Sequence, residues 1–160
     1  MQRLIEALCR ALEAAGMTVV RSFAKGKAAE LTGPVVAVCL HGAQTGAAGA
    51  YAYLGMQEVD GVWQALYGRS VTAAVRLTVY APRRGGSAAC MAQVDALAGL
   101  LAQGLGGVQI AAFSVGACAY DAEADCFVCT VTAELGGYVY AVADEDAAEF
   151  TDFILKGEVT

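Results

Sequence analysis

The sequence predicts an α+β fold: a mostly antiparallel sheet with an N-terminal helix and a second helix crossing between strands. Three observations carry this. Residues Val71 to Tyr80 place an apolar side chain on every odd position (Val71, Ala73, Val75, Leu77, Val79) and mixed ones on the even positions, the period-2 signature of a half-buried strand. Leu4, Ile5, Leu8 and Leu12 recur at helical spacing, as do Met91, Val94, Leu97, Leu101 and Leu105. The other apolar runs are mostly adjacent strands, which favours antiparallel pairing with the helices on one face.

Taken in order, residues 2–15 form an amphipathic first helix, closed by Gly16. Met17 to Phe23 is a short strand, and Lys25 to Gly33 a polar connection. Pro34 opens the buried strand Val35 to Leu40, and His41 closes it. The stretch Gly42 to Gly49 holds three glycines and no apolar anchor, which predicts a mobile tip between two strands. Gly42, Gln44, Thr45, Gly46 and Gly49 are therefore the candidate assembly loop. A strand from Tyr51 to Glu58, an Asp60-Gly61 turn and a strand from Val62 to Tyr67 follow, with Gly68 as a bulge or bend before the Val71 strand. That strand stops at Ala81-Pro82, because proline cannot donate to a continuing ladder. Ser87 is the expected N-cap of the second helix, which the glycines at 104, 106 and 107 end. Val108 to Tyr120 and Cys126 to Val142 are strands around the acidic turn 121–125. Residues 1–143 read as a single domain and 144–160 as an acidic C-terminal tail segment with an apolar stripe.

Composition narrows the function. The chain has 160 residues, the size of one domain. Only 16% of residues are charged against 58% hydrophobic, so polar cover is scarce. Either apolar surface faces a partner, or abundant alanine inflates the count. A net charge of −6 argues against tight nucleic-acid binding. Arg3, Glu6, Arg10 and Glu13 interrupt the opening segment, which reads as a helix and not a signal peptide, and no long uninterrupted apolar run supports a membrane span. The six cysteines fall in predicted helices and strands and are expected to be reduced, packed thiols.

No reactive cluster emerges from the spacing. Cys126-Phe-Val-Cys129 is the sole C-x-x-C, yet a separation of three along a strand sends the sulfurs to opposite faces. His41 is the only histidine; on an extended run it shares a face with Cys39, the one formal nucleophile pair. Arg83 and Arg84 precede a helix and are the candidate contact for a partner's anion, without the spacing of a phosphate-binding loop. Tyr51, Tyr53, Trp63 and Tyr67 cluster beside the predicted loop, where cross-strand packing and a subunit interface use the same residue types. They are the candidate subunit-interface residues. No catalytic residue, metal or cofactor is expected; the alternative is a small enzyme or ligand-binding domain using Cys39 and His41 or the Arg83-Arg84 loop.

The order of segments resembles the tail terminator or tail-completion (minor tail) proteins of long-tailed phages and prophages. The resemblance rests on the N-terminal helix followed by Val19-Val20 and Phe23, on Tyr53-Leu54-Gly55, on Leu77-Thr78-Val79-Tyr80-Ala81-Pro82 before a helix, and on the closing run Glu149 to Gly157. It implies a structural subunit without catalytic residues, forming a hexameric ring that caps the tail tube at the head–tail junction. The implied partners are copies of itself, the tail tube and head-completion proteins. The implied location is the bacterial cytoplasm and then the virion tail, with Gly42 to Gly49 and the acidic tail as assembly elements.

Overall fold

The computed structural model describes residues 2–21, 31–48, 52–105, 108–142 and 154–156. Its elements are helix α1 (Gln2–Ala14), strands β1 (Val19–Val20), β2 (Val35–Ala47), β3 (Tyr53–Val59) and β4 (Val62–Pro82), a 3-10 turn (Arg83–Gly85), and helix α2 (Gly86–Gln103). Strands β5 (Gln109–Val115), β6 (Ala119–Asp121), β7 (Cys126–Val142) and β8 (Ile154–Lys156) complete a single sheet. The main path of that sheet is β1-β2-β4-β7-β5, antiparallel throughout except for β1 against β2. The α+β class read from the sequence is the class of the fold.

Alternation decides which face is buried. Ala73, Val75, Leu77 and Val79 on β4 lie opposite Leu135, Ala133, Val131 and Cys129 on β7, and all are buried. Leu4, Leu8 and Leu12 of α1 and Cys90, Val94, Leu97 and Leu101 of α2 pack on this odd-numbered face to form one core. The even-numbered face carries small and hydroxylated residues such as Thr72, Thr78 and Thr132, and neither helix covers it.

Helix α2 is apolar nearly all round. With its 3-10 lead-in it is long and apolar enough, by length and composition alone, to cross a membrane. Its inner side packs on the sheet as a core helix does, while Ala88, Met91, Ala92 and Ala96 are exposed on the outer side. The expected Ser87 cap is replaced: the N-cap is Gly85, and Ser87 lies inside the first turn, because the 3-10 turn after Pro82 already starts winding the backbone.

The principal correction concerns residues 42–47. They are not a mobile tip but the second half of β2, paired residue by residue with Ala74 to Arg69 of β4. Small side chains weaken a strand's own preference without forbidding it, and the long β4 ladder supplies the partner. Gly49 lies outside the described residues. His41 does not close the strand; it is the extra residue of a bulge between Leu40 and Gly42. Likewise the two strands predicted at 62–67 and 71–80 are one 21-residue strand, and the strand predicted at 108–120 divides into β5 and β6.

An extended Gly42 carries a testable consequence. A methyl group built there meets nothing within 4 Å, so Gly42→Ala removes backbone freedom from the unfolded chain at no steric cost. Urea unfolding is expected to give a gain of about 0.5–1 kcal/mol. An unordered tip would show no gain.

Candidate assembly surface and the predicted sites

Because β2 and β3 both pair antiparallel with β4 on the same side, they form one nearly collinear edge. The result is a long hairpin whose turn, Asp60-Gly61, has both residues at positive φ, the geometry that closes two-residue hairpins. At 21 residues, β4 runs about 70 Å. The helices pack near residues 73–81 of it, so residues 53–67 stand out as an arm beyond the core.

The helix-facing side of that arm is exposed and largely apolar, with Glu58 as its charged residue. Tyr53 pairs with Tyr67, Met56 with Ala65 and Glu58 with Trp63, so these six share one face. Exposure is 44% at Tyr53, 53% at Met56, 62% at Trp63 and 43% at Tyr67. Tyr53 and Tyr67 meet edge to face at 5.7 Å between ring centroids, which aligns the rings without burying them. Plain cross-strand packing therefore accounts for the tyrosine pair but not for Trp63 or Met56. The sequence reading missed Met56; its place in the ladder two residues from Glu58 is the signal that finds it. Tyr51 lies outside the described residues, as does most of the acidic tail, of which Ile154–Lys156 pairs with Tyr140 to Tyr138 of β7.

The other predicted residues are brought to separate places. His41 Nδ1 lies 3.4 Å from Arg76 Nη2, while the nearby Cys39 thiol donates to the Leu40 carbonyl at 3.5 Å. Arg83 pairs with Asp125 at 3.5 Å and lies over the Tyr120 ring at 5.8 Å. The Tyr120 hydroxyl donates to Asp125, and that carboxylate holds the phenol above its ordinary range. Arg84 instead donates to the Thr32 carbonyl at 2.5 Å. The two guanidinium groups thus fasten different loops to the start of α2, Arg83 through an exposed carboxylate and Arg84 through a neutral carbonyl.

Cys126 and Cys129 occupy opposite faces of β7, as the strand spacing requires: Cys129 lies in the helix-side core and Cys126 packs with Ala124 on the other side. All six cysteines are free. What spacing could not reveal is that Cys118, in the loop between β5 and β6, packs against the same core as Cys90 of α2 and Cys129 of β7. Burial pushes the Cys90 thiol from 9.0 up to about 12, with the neighbouring Cys118 thiol adding to the shift. Burial also raises Cys9, Cys126 and Cys129. Among the described residues no three His, Cys, Asp or Glu side chains are grouped to hold a metal ion. An open pocket of about 350 Å³ lies between α1 and β1, lined by Glu6, Cys9, Arg10, Glu13, Arg21 and the two β1 valines.

These environments set thiol behaviour. Iodoacetamide at about pH 8 is expected to modify exposed Cys39 first and the four buried thiols only on unfolding, since the thiolate is the nucleophile. The neutral Cys90 thiol is the form that packs, so its contribution to stability is intact below pH 9 and lost as pH rises from 9 toward 12. Peptide mass mapping of the labelled sites checks the order; rapid labelling of Cys90 in the folded chain would contradict it.

No protein-family model matches the chain, and no curated protein matches it at a significant level.

Proposed function

We propose that this chain is a structural, self-assembling subunit of a phage or prophage tail, of the tail terminator or tail-completion kind, which caps the tail tube as a homo-oligomeric ring. The observation that carries the reading is the arm, whose exposed Met56, Trp63, Tyr53 and Tyr67 share one face of a projecting hairpin. Aromatic and methionine side chains of this kind are enriched in protein–protein contacts, and contiguous exposed apolar groups on a small chain mark an interaction surface. Scarce charge and the outer side of α2, where Ala88, Met91, Ala92 and Ala96 are exposed around Asp95, support the same reading. The step from self-assembly to a phage tail rests on the resemblance in segment order, and the ring and its hexameric count belong to that step.

Incubation of the purified protein with phage tail tubes, followed by electron microscopy, tests the whole proposal. Rings in the free protein and a cap at one end of each tube are the expected result. Absence of both rings and tube-end density would overturn it.

A further inference from the structure

Among the described residues the sheet ends in two unpaired edges of matching character. Strand β1 covers only Val36 and Ala37 of β2, and beyond Ala37 nothing among the described residues pairs with the outer side of that strand. At the opposite end, β5 pairs with β7 on one side and with nothing described on the other. Neither Cys39 to Ala47 nor Gln109 to Val115 contains a lysine, arginine, acid or proline, the usual protection of a free edge. Each has one bulge, at His41 and at Ala111, and past it Gly42 to Ala47 and Ala112 to Val115 run in regular register.

We infer that these edges join head to tail, β5 of one copy pairing with the second half of β2 of the next, so that the sheet continues from subunit to subunit; the inference rests on the assembly reading above. Three features select this pairing. Strand directions alternate from β2 through β4 and β7 to β5, so a neighbour in the same orientation presents β2 antiparallel to β5 and keeps every helix on one side. Exposed apolar groups flank both edges on the helix-facing side: Leu40, paired with Val75, at one, and Phe113 and Val115, paired with Ala133 and Val131, at the other. Joining the edges buries these groups against one another.

Charge favours the same direction at low salt. Between residues 69 and 76, β4 carries Arg69 and Arg76 and no acid, beside the β2 edge. Glu134 is the one charged residue of β7, beside the β5 edge. Head-to-tail joining brings basic and acidic strands about 14 Å apart across three strand spacings. Like-edge joining sets arginine facing arginine or glutamate facing glutamate. Exposed charges about 14 Å apart are screened at physiological salt, so charge biases orientation at low ionic strength and the backbone ladder supplies the affinity. A heterologous contact of this kind closes into a ring when its rotation does.

Two double variants test the inference: Phe113→Lys with Val115→Lys blocks the β5 edge, and Ala43→Lys with Thr45→Lys blocks the β2 edge. Both are made with Trp63→Ala so that the arm does not hold copies together; native mass spectrometry is then expected to find each alone as a monomer and their mixture as a heterodimer of about twice the 16.4 kDa chain mass, because one usable edge remains on each. Dimers of either variant alone, or a mixture that stays monomeric, would overturn head-to-tail pairing. If the wild type assembles and both variants assemble equally well, the edges are not the joint, although the assembly reading stands. A wild type monomeric at every concentration overturns both. Should a variant misfold by circular dichroism, hydrogen exchange on the wild type decides: amides of 42–47 and 112–115 gain protection in the assembly, and no gain contradicts the pairing.

Discussion

Gly68→Ala is expected to destabilise the chain by about 3 kcal/mol or more, a large effect for one added methyl group. Gly68 pairs with Tyr140 of β7, where β4 leaves the helix-covered region and enters the arm. A Cβ there would press on the Val139 carbonyl oxygen and lie 2.8 Å from both Tyr140 Cα and Leu54 Cδ1. Two of those three atoms are backbone of the adjoining strand and cannot rotate away, so the strands must part. Tyr140 is buried, and parting the strands uncovers it. The contrast with Gly46 is instructive, since a Cβ there meets only the Ser70 hydroxyl at 2.9 Å, a side chain that can turn. Urea unfolding of Gly68→Ala and Gly46→Ala checks the difference; equal stabilities would mean that β4 and β7 do not approach as described.

Trp63→Ala is expected to leave the fold intact and weaken self-association by about 30-fold or more, corresponding to about 2 kcal/mol at a central aromatic anchor. Exposed in the single chain, Trp63 contributes little to its stability, and the unfolding midpoint is expected to shift by no more than about 0.5 kcal/mol. Met56→Ala is the companion, sharing the face across the ladder. Concentration-dependent sedimentation measures the loss. A Trp63→Ala protein that assembles like the wild type would remove the arm from the contact.

The parts legible in the sequence are those where one residue type repeats against one buried face. Ala73 to Val79 alternate because α2 lies over them, and Leu4, Leu8 and Leu12 follow the helical period because α1 lies on the same sheet. The Asp60-Gly61 turn was readable because only a few residues tolerate positive φ. Gly42 to Ala47 was not, since its order comes from Arg69 to Ala74, a partner about 30 residues away whose pairing no local pattern encodes. The fusion of Val62–Tyr67 with Val71–Tyr80 was hidden for a related reason: Gly68 reads locally as a break, while its role is close approach to β7. Trp63 and Tyr67 were identifiable as a cluster, but whether they packed inward depended on how far the helices reach. Cys90, Cys118 and Cys129 come together only through the tertiary fold.

At the centre of this account stands an uncovered aromatic arm made to meet other copies of the chain. Sedimentation velocity of the wild type across a range of concentrations and salt tests it most directly. The account predicts a discrete multiple of the 16.4 kDa chain mass, persisting as the protein is diluted toward the micromolar range. A single 16.4 kDa species under every condition would contradict it.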